Sequence, residues 1–161
     1  MPSNKAKDYL NNQNVRYVSI AHSPAYTAQE IAASAHVRGQ ELAKTVIVKL
    51  DGKMAMCVLP ASHNVDFSLL KKASGVREAL LVPEEEYKAA FPDCEPGSQP
   101  PFGNLYGLDV FVSRALTQDE EIAFNACSFS ELIRLSLNDY MRLVNPVVLD
   151  FSVQRERRKA A

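Results

Sequence analysis

The chain lacks most of the signatures by which a short sequence declares its chemistry. Its 161 residues contain no GxSxG nucleophile elbow, no Walker A loop, no GxGxxG and no HExxH. The three cysteines, Cys57, Cys94 and Cys127, are odd in number and far apart, with no CxxC and no histidine at metal-ligand spacing. Reduced thiols are therefore expected, with neither a disulfide framework nor a zinc site, and no metal or cofactor is called for. No apolar run approaches the ~18 residues of a membrane span, and the first eight residues lack the apolar core of a signal peptide, so a cytoplasmic protein without membrane contact is expected. Charge of one sign is missing too. Lys and Arg number 18 against 19 Asp and Glu, a formal net charge of -1, so no global field attracts a polyanion and any nucleic-acid contact must be local.

What is present fits one domain over 1–161, at roughly 150 residues per domain. Ser3 is placed to cap a helix running to about Asn12, and Val15 to Ile20 alternates as a strand does. Thr27 and Glu30 form a capping box for a helix ending before Gly39. Two β-rich runs, Lys44 to Leu50 and Lys53 to Leu59, flank Asp51-Gly52, the pair favoured in a type I′ hairpin. Further on, Asp66 caps a helix to Ala73, residues 79–82 form a strand, and Pro83-Glu84-Glu85-Glu86 opens a helix with its acids at the positive end of the dipole. Strands are expected over 108–112, 121–126 and 131–137, and a closing helix over 138–143. About seven strands and four or five helices without a βαβ rhythm predict an α+β fold, a mixed and barrel-like sheet with flanking helices. A basic cluster within 152–161, Arg155, Arg157, Arg158 and Lys159, is either a solvated tail or an RNA-touching arm.

Candidates for chemistry are few. Lys44 stands at the start of the apolar run Thr45-Val46-Ile47-Val48; it is either a solvated strand end or an ammonium at the rim of a ligand site. His22, His36 and His63 are each either hydrogen-bonded structural residues or general acid–base candidates. Mid-strand Cys57 belongs to the core, whereas Cys94 and Cys127 are candidate nucleophiles with no base placed beside them. The stretch Glu95-Pro96-Gly97-Ser98-Gln99-Pro100-Pro101-Phe102-Gly103 is stiffened by its prolines. One reading is a rigid surface turn. The other has Gly97 and Ser98 present backbone N–H groups to a developing oxyanion, with Pro100 and Pro101 as an apolar wall.

Four segments, Thr27-Ala28-Gln29-Glu30, Ala43-Lys44-Thr45-Val46-Ile47-Val48-Lys49, Leu59-Pro60-Ala61-Ser62-His63 and Gly97-Ser98-Gln99-Pro100-Pro101-Phe102-Gly103, together resemble the YbaK / prolyl-tRNA synthetase-associated domain family in order and spacing. The resemblance spans about Tyr9 to Phe151. It implies a YbaK-like fold and a free-standing hydrolase that deacylates mischarged aminoacyl-tRNA in trans, with the acceptor end as partner and a synthetase as a further one. The family's lysine falls on Lys44 and its Gly-x-x-x-Pro loop on Gly97 to Pro101, so Lys44, Gly97 and Ser98 become the catalytic candidates. Thr27, Ala28, Ile31, His63, Gln99, Pro100, Pro101, Phe102 and Cys127 become the substrate-binding ones. Small Ala28 beside Ile31 suits alanine, serine or threonine. One departure stands out: where the family pattern has glycine after Asn125-Ala126, this chain has Cys127, which puts a side chain on the expected pocket wall. Lys44, Lys49, Lys53, Lys71, Lys72 and Arg77 are candidates for a one-sided tRNA patch. The rival expectations are a non-hydrolytic binder of aminoacyl-tRNA and a different hydrolase acting through Cys94 or Cys127.

Overall fold

In a computed structural model of the chain, residues 5–21 and 42–154 are described. The hairpin forms as its sequence dictates: β2 (Ala43–Leu50) and β3 (Lys53–Pro60) pair antiparallel, with Asp51 and Gly52 at φ 48° and 84°. Both central residues lie in the left-handed region that a type I′ turn requires. The hairpin becomes the centre of a five-stranded sheet in the order β5-β2-β3-β6-β9, with β5 over Ala79–Leu81, β6 over Asp109–Ser113 and β9 over Val147–Leu149. The β3–β6 and β6–β9 pairs are parallel, the others antiparallel.

A second sheet, β1-β8-β7, is antiparallel and comprises Tyr17–Ala21, Glu131–Ser136 and Glu121–Asn125. A third is the two-stranded pair of β4 (His63–Val65) and β10 (Ser152–Gln154). A parallel bridge from Leu42 to Ala123 ties the first two sheets together at the start of β2. Helices α1 (Lys5–Asn12), α2 (Phe67–Ser74), α3 (Glu84–Tyr87) and α4 (Leu137–Val144) flank them. The expected mixed α+β domain is thus observed. The described residues carry ten strands where the sequence pattern predicts about seven, because β4, β9 and β10 have only three residues each, too short for alternation to register. The capping-box helix after Thr27 lies outside the described residues, as do His22, His36 and the basic residues after Gln154.

Alternation along the hairpin builds two cores. Ala43, Ile47, Met56 and Val58 face a large cluster with α1, α4, β7 and β8, whereas Val48, Leu50, Ala55, Cys57 and Leu59 face a smaller one with Leu70 and Phe151. Strand β3 is covered on both faces, so it is apolar at nearly every position rather than at every second one.

Candidate active site

The proline-rich stretch is built as a turn followed by an anchor. Ser98 N–H donates to the Glu95 carbonyl (2.9 Å), closing a turn with Pro96 and Gly97 at its two central positions and Gly97 at φ 92°. That is the type II arrangement, in which proline fixes the first corner and glycine takes the positive φ of the second. A side chain at residue 97 would also bring its Cβ 3.2 Å from Cζ of Phe129.

The anchor is Phe102, wholly buried, its ring 5.5 Å from those of Phe124 and Tyr140 and 6.1 Å from that of Tyr9. Tyr140 donates its hydroxyl to the Pro101 carbonyl (2.7 Å); burial raises its pKa far above the ordinary value, so the hydroxyl keeps its proton and the bond. Between turn and anchor, the Gln99 carbonyl accepts from Thr45 Oγ1 (3.1 Å).

Several expectations are corrected by this geometry. Gly97 N–H donates to Oε1 of Gln99 (3.0 Å), and both the N–H and the hydroxyl of Ser98 donate to the Glu95 carbonyl. The two amides assigned to an oxyanion are therefore satisfied within the loop, because a tight turn consumes its own donors, and Ser98, fully buried, is a turn residue. Gln99, at 4% exposure, spends its side chain on Gly97. Phe102 belongs to the core and not to a substrate wall, and Pro100 and Pro101 are buried beside it. The exposed part of the stretch is residues 95–97.

Lys44 and Thr45 leave β2 on opposite faces. Thr45 shares the side of Ala43 and Ile47 and meets the loop, while Lys44 shares the side of Val46 and Val48. The Lys44 ammonium donates to Oδ1 of Asn64 at 3.4 Å. Its neighbour His63 pairs Nδ1 with Ser152 Oγ (2.9 Å), which in turn meets Ser113 Oγ (2.6 Å). Burial and then the Lys44 charge hold the His63 pKa below its usual 6.5, so the imidazole is neutral at neutral pH. Among the described residues, β2 is hydrogen-bonded to the loop through Thr45, a contact hidden in the sequence because Thr45 stands there within an apolar strand pattern, 54 residues from its partner.

The cysteines overturn the expectation of three free thiols. Cys94 and Cys127 are joined in a disulfide, and only Cys57 is free, buried on β3 with its thiol pushed up to about 12 by desolvation. Separation along the chain concealed the pair. Cys127 pairs by backbone with the loop, its N–H to the Ser98 carbonyl (3.1 Å) and its carbonyl to the Glu95 N–H (3.0 Å), which sets it beside Cys94. Cys127 sits at φ 66°, which supplies the physical reason for expecting glycine there. Asp93, Cys94 and Cys127 hold a carboxylate oxygen and two sulfurs within 4.8 Å, but sulfurs bonded to each other are not thiolate ligands.

The residue that sequence reasoning missed is Phe129. Its ring, 39% exposed, is the one aromatic among the exposed large hydrophobic side chains of the described residues, and it lies over Gly97. Glu95 fixes it by accepting from its N–H (2.8 Å). The signal was an aromatic residue between two serines in a polar turn. The proposed basic patch is thinner than the sequence suggested, since Lys49 and Lys53 are paired with Glu86 and Asp109.

The mixed α+β fold recurs in solved structures. The hypothetical protein APE2540 superposes with a TM-score of 0.82 at 20% identity, covering 92% of this chain and 99% of that one. A putative trans-editing enzyme for prolyl tRNA synthetase superposes at 0.79 and 15% identity, covering 94% and 95%. The model of the aminoacyl-tRNA editing domain matches residues 22–143, and the chain belongs to that family. It is 29% identical over 128 residues to the multifunctional Ser/Thr-tRNA deacylase ProXp-y of Escherichia coli (strain K12), covering 74% of this chain and 75% of that protein. A proline–tRNA ligase of Bacillus mycoides (strain KBAB4) matches at 24% over 100 residues, 17% of its own length. No helix of the described residues is long and apolar enough to cross a membrane.

Proposed function

We propose that the chain hydrolyses the ester of mischarged aminoacyl-tRNA bearing a small amino acid, acting on the acylated acceptor end. The observation that carries this reading is the match of the aminoacyl-tRNA editing domain to residues 22–143, in a chain whose 95–102 loop is pinned at both Thr45 and Tyr140. An aminoacyl ester is an activated acyl compound, so holding it and a water in register supplies much of the required acceleration. In this reading Phe129 stacks on the terminal base, the exposed tip at residues 95–97 receives the acyl group, and the Lys44 ammonium holds the nucleotide. The ribose 2′-hydroxyl next to the ester helps activate the water. Serine and threonine are the first amino acids to test, in keeping with the specificity named for the Escherichia coli relative. A synthetase that delivers the substrate is a further partner, as the match to a proline–tRNA ligase suggests.

The binder reading draws on one observation, that the Gly97 and Ser98 amides are already engaged and offer no ready oxyanion hole. Deacylation of purified Ser-tRNA, Thr-tRNA and Ala-tRNA separates the two. Selective release of one amino acid supports hydrolysis, and tight binding without release across the panel refutes it. Cys94→Ser and Cys127→Ser leave kcat in place if this reading holds, and abolish it if either cysteine is a nucleophile.

A further inference from the structure

The Cys94–Cys127 pair takes no part in the hydrolysis described above, yet it joins the two segments that carry the loop. Cys94 immediately precedes Glu95, where the turn begins, and Cys127 faces it across two backbone hydrogen bonds. The surroundings of the sulfurs are polar. Tyr106 Oη lies 3.6 Å from Cys94 Sγ and 3.8 Å from Cys127 Sγ. The same hydroxyl donates to Asp93 at 2.9 Å, and Asp93 lies 3.7 Å from Cys127 Sγ. Cys94 is only partly buried, so a small oxidant can reach it, whereas Cys57 is sealed in the core and its raised pKa leaves it inert.

The geometry points to a reversible oxidative modification site: a low-molecular-weight disulfide converts the Cys94/Cys127 dithiol to the cross-link, and the cross-link tightens the loop's hold on its substrate. The thiolate of Cys94 attacks one sulfur of the oxidant, forming a mixed disulfide and expelling one small thiolate, which takes up a proton. The thiolate of Cys127 then attacks the Cys94 sulfur and expels the second small thiolate, likewise protonated. Two protein thiols are oxidised and one oxidant disulfide is reduced to two thiols; a dithiol reductant reverses both steps.

The direction of the effect follows from the backbone. A non-glycine residue at φ 66° is held there against its own preference, and in the reduced protein the hydrogen bonds around it, among them those to residues 95 and 98, oppose relaxation without a covalent tether. The tether removes that freedom. Reduction therefore loosens the tip at residues 95–97, and because no group of the hydrolytic step changes, the loss falls on KM rather than kcat. Only this last consequence rests on the deacylase reading.

The test compares the full chain equilibrated with oxidised glutathione or with dithiothreitol. Thiols are counted in denaturant, thermal unfolding is recorded, and KM is measured for Ser-tRNA. Glutathione disulfide should lower the count from the three cysteines of the chain to one, raise the melting temperature by several degrees and lower KM about 3–10-fold. Cys94→Ser should respond to neither buffer in melting temperature or KM. A count that stays at three, a stable mixed disulfide with glutathione, or identical melting and KM in both buffers would overturn the inference. So would a reduced protein that retains zinc and thereby resists oxidation, since the cluster would then be a metal site. Thiol count and melting need no tRNA, so a chain without deacylase activity refutes the proposed function while these two readouts still decide the cross-link.

Discussion

The tip of the proline-rich loop, residues 95–97, and its root, residues 100–102, are held in different ways. The root is fixed by burial: Phe102 is packed among three aromatic rings, and Pro101 receives the Tyr140 hydroxyl. The tip is exposed and is fixed by directional contacts, the Ser98–Glu95 turn, the Gln99 side chain and the backbone of Cys127. Proline stiffens the stretch locally, but its position is set by groups far away in sequence. A loop so rooted keeps its place on β2 through Thr45 and Tyr140 while residues 95–97 stay open to solvent.

Substitutions at the two ends should therefore separate stability from activity. The largest expected effect is at the root: Phe102→Ala should lower unfolding stability by about 3–5 kcal/mol in denaturant titrations, as large-to-small changes in packed cores do. Tyr140→Phe keeps the packing but strands the buried Pro101 carbonyl, and should cost about 1–3 kcal/mol by the same measurement. At the tip the pattern should invert. Phe129→Ala should leave the melting temperature nearly unchanged and raise KM for aminoacyl-tRNA by about 5–150-fold, the equivalent of ~1–3 kcal/mol of base stacking, with Phe129→Trp restoring it. An unchanged KM would remove Phe129 from the substrate path.

The smallest effect concerns the opposite face of β2. His63 has a folded pKa below its unfolded value of about 6.5, so its contribution to stability is fully present above that pH and is lost as pH falls through the folded pKa. Urea midpoints measured from pH 7.5 to 5 should fall less steeply in His63→Gln than in the parent; parallel curves would show that His63 is not the group responsible.

Legibility in the sequence followed locality. The hairpin could be read because Asp51-Gly52 and its flanking runs are adjacent, and the Asp66 cap because its acceptor and donor are three residues apart. The family could be read from four short motifs. What escaped was set by contacts across the chain: the Thr45–Gln99 bond spans 54 residues, the Cys94–Cys127 link 33 and the Tyr140–Pro101 bond 39. The expectation for Cys127 illustrates the division. Its departure from glycine was visible, but the positive φ that makes it a departure, and the partner that compensates for it, were not.

The central claim is that the chain deacylates aminoacyl-tRNA with the Lys44 ammonium, at the start of β2, as a substrate-holding group. The most direct test is single-turnover deacylation of Ser-tRNA and Thr-tRNA by the parent chain and by Lys44→Ala, with melting curves as the folding control. The account predicts a loss of about 100-fold or more in kcat/KM, with unchanged melting. A folded Lys44→Ala protein that deacylates at the parental rate would contradict it.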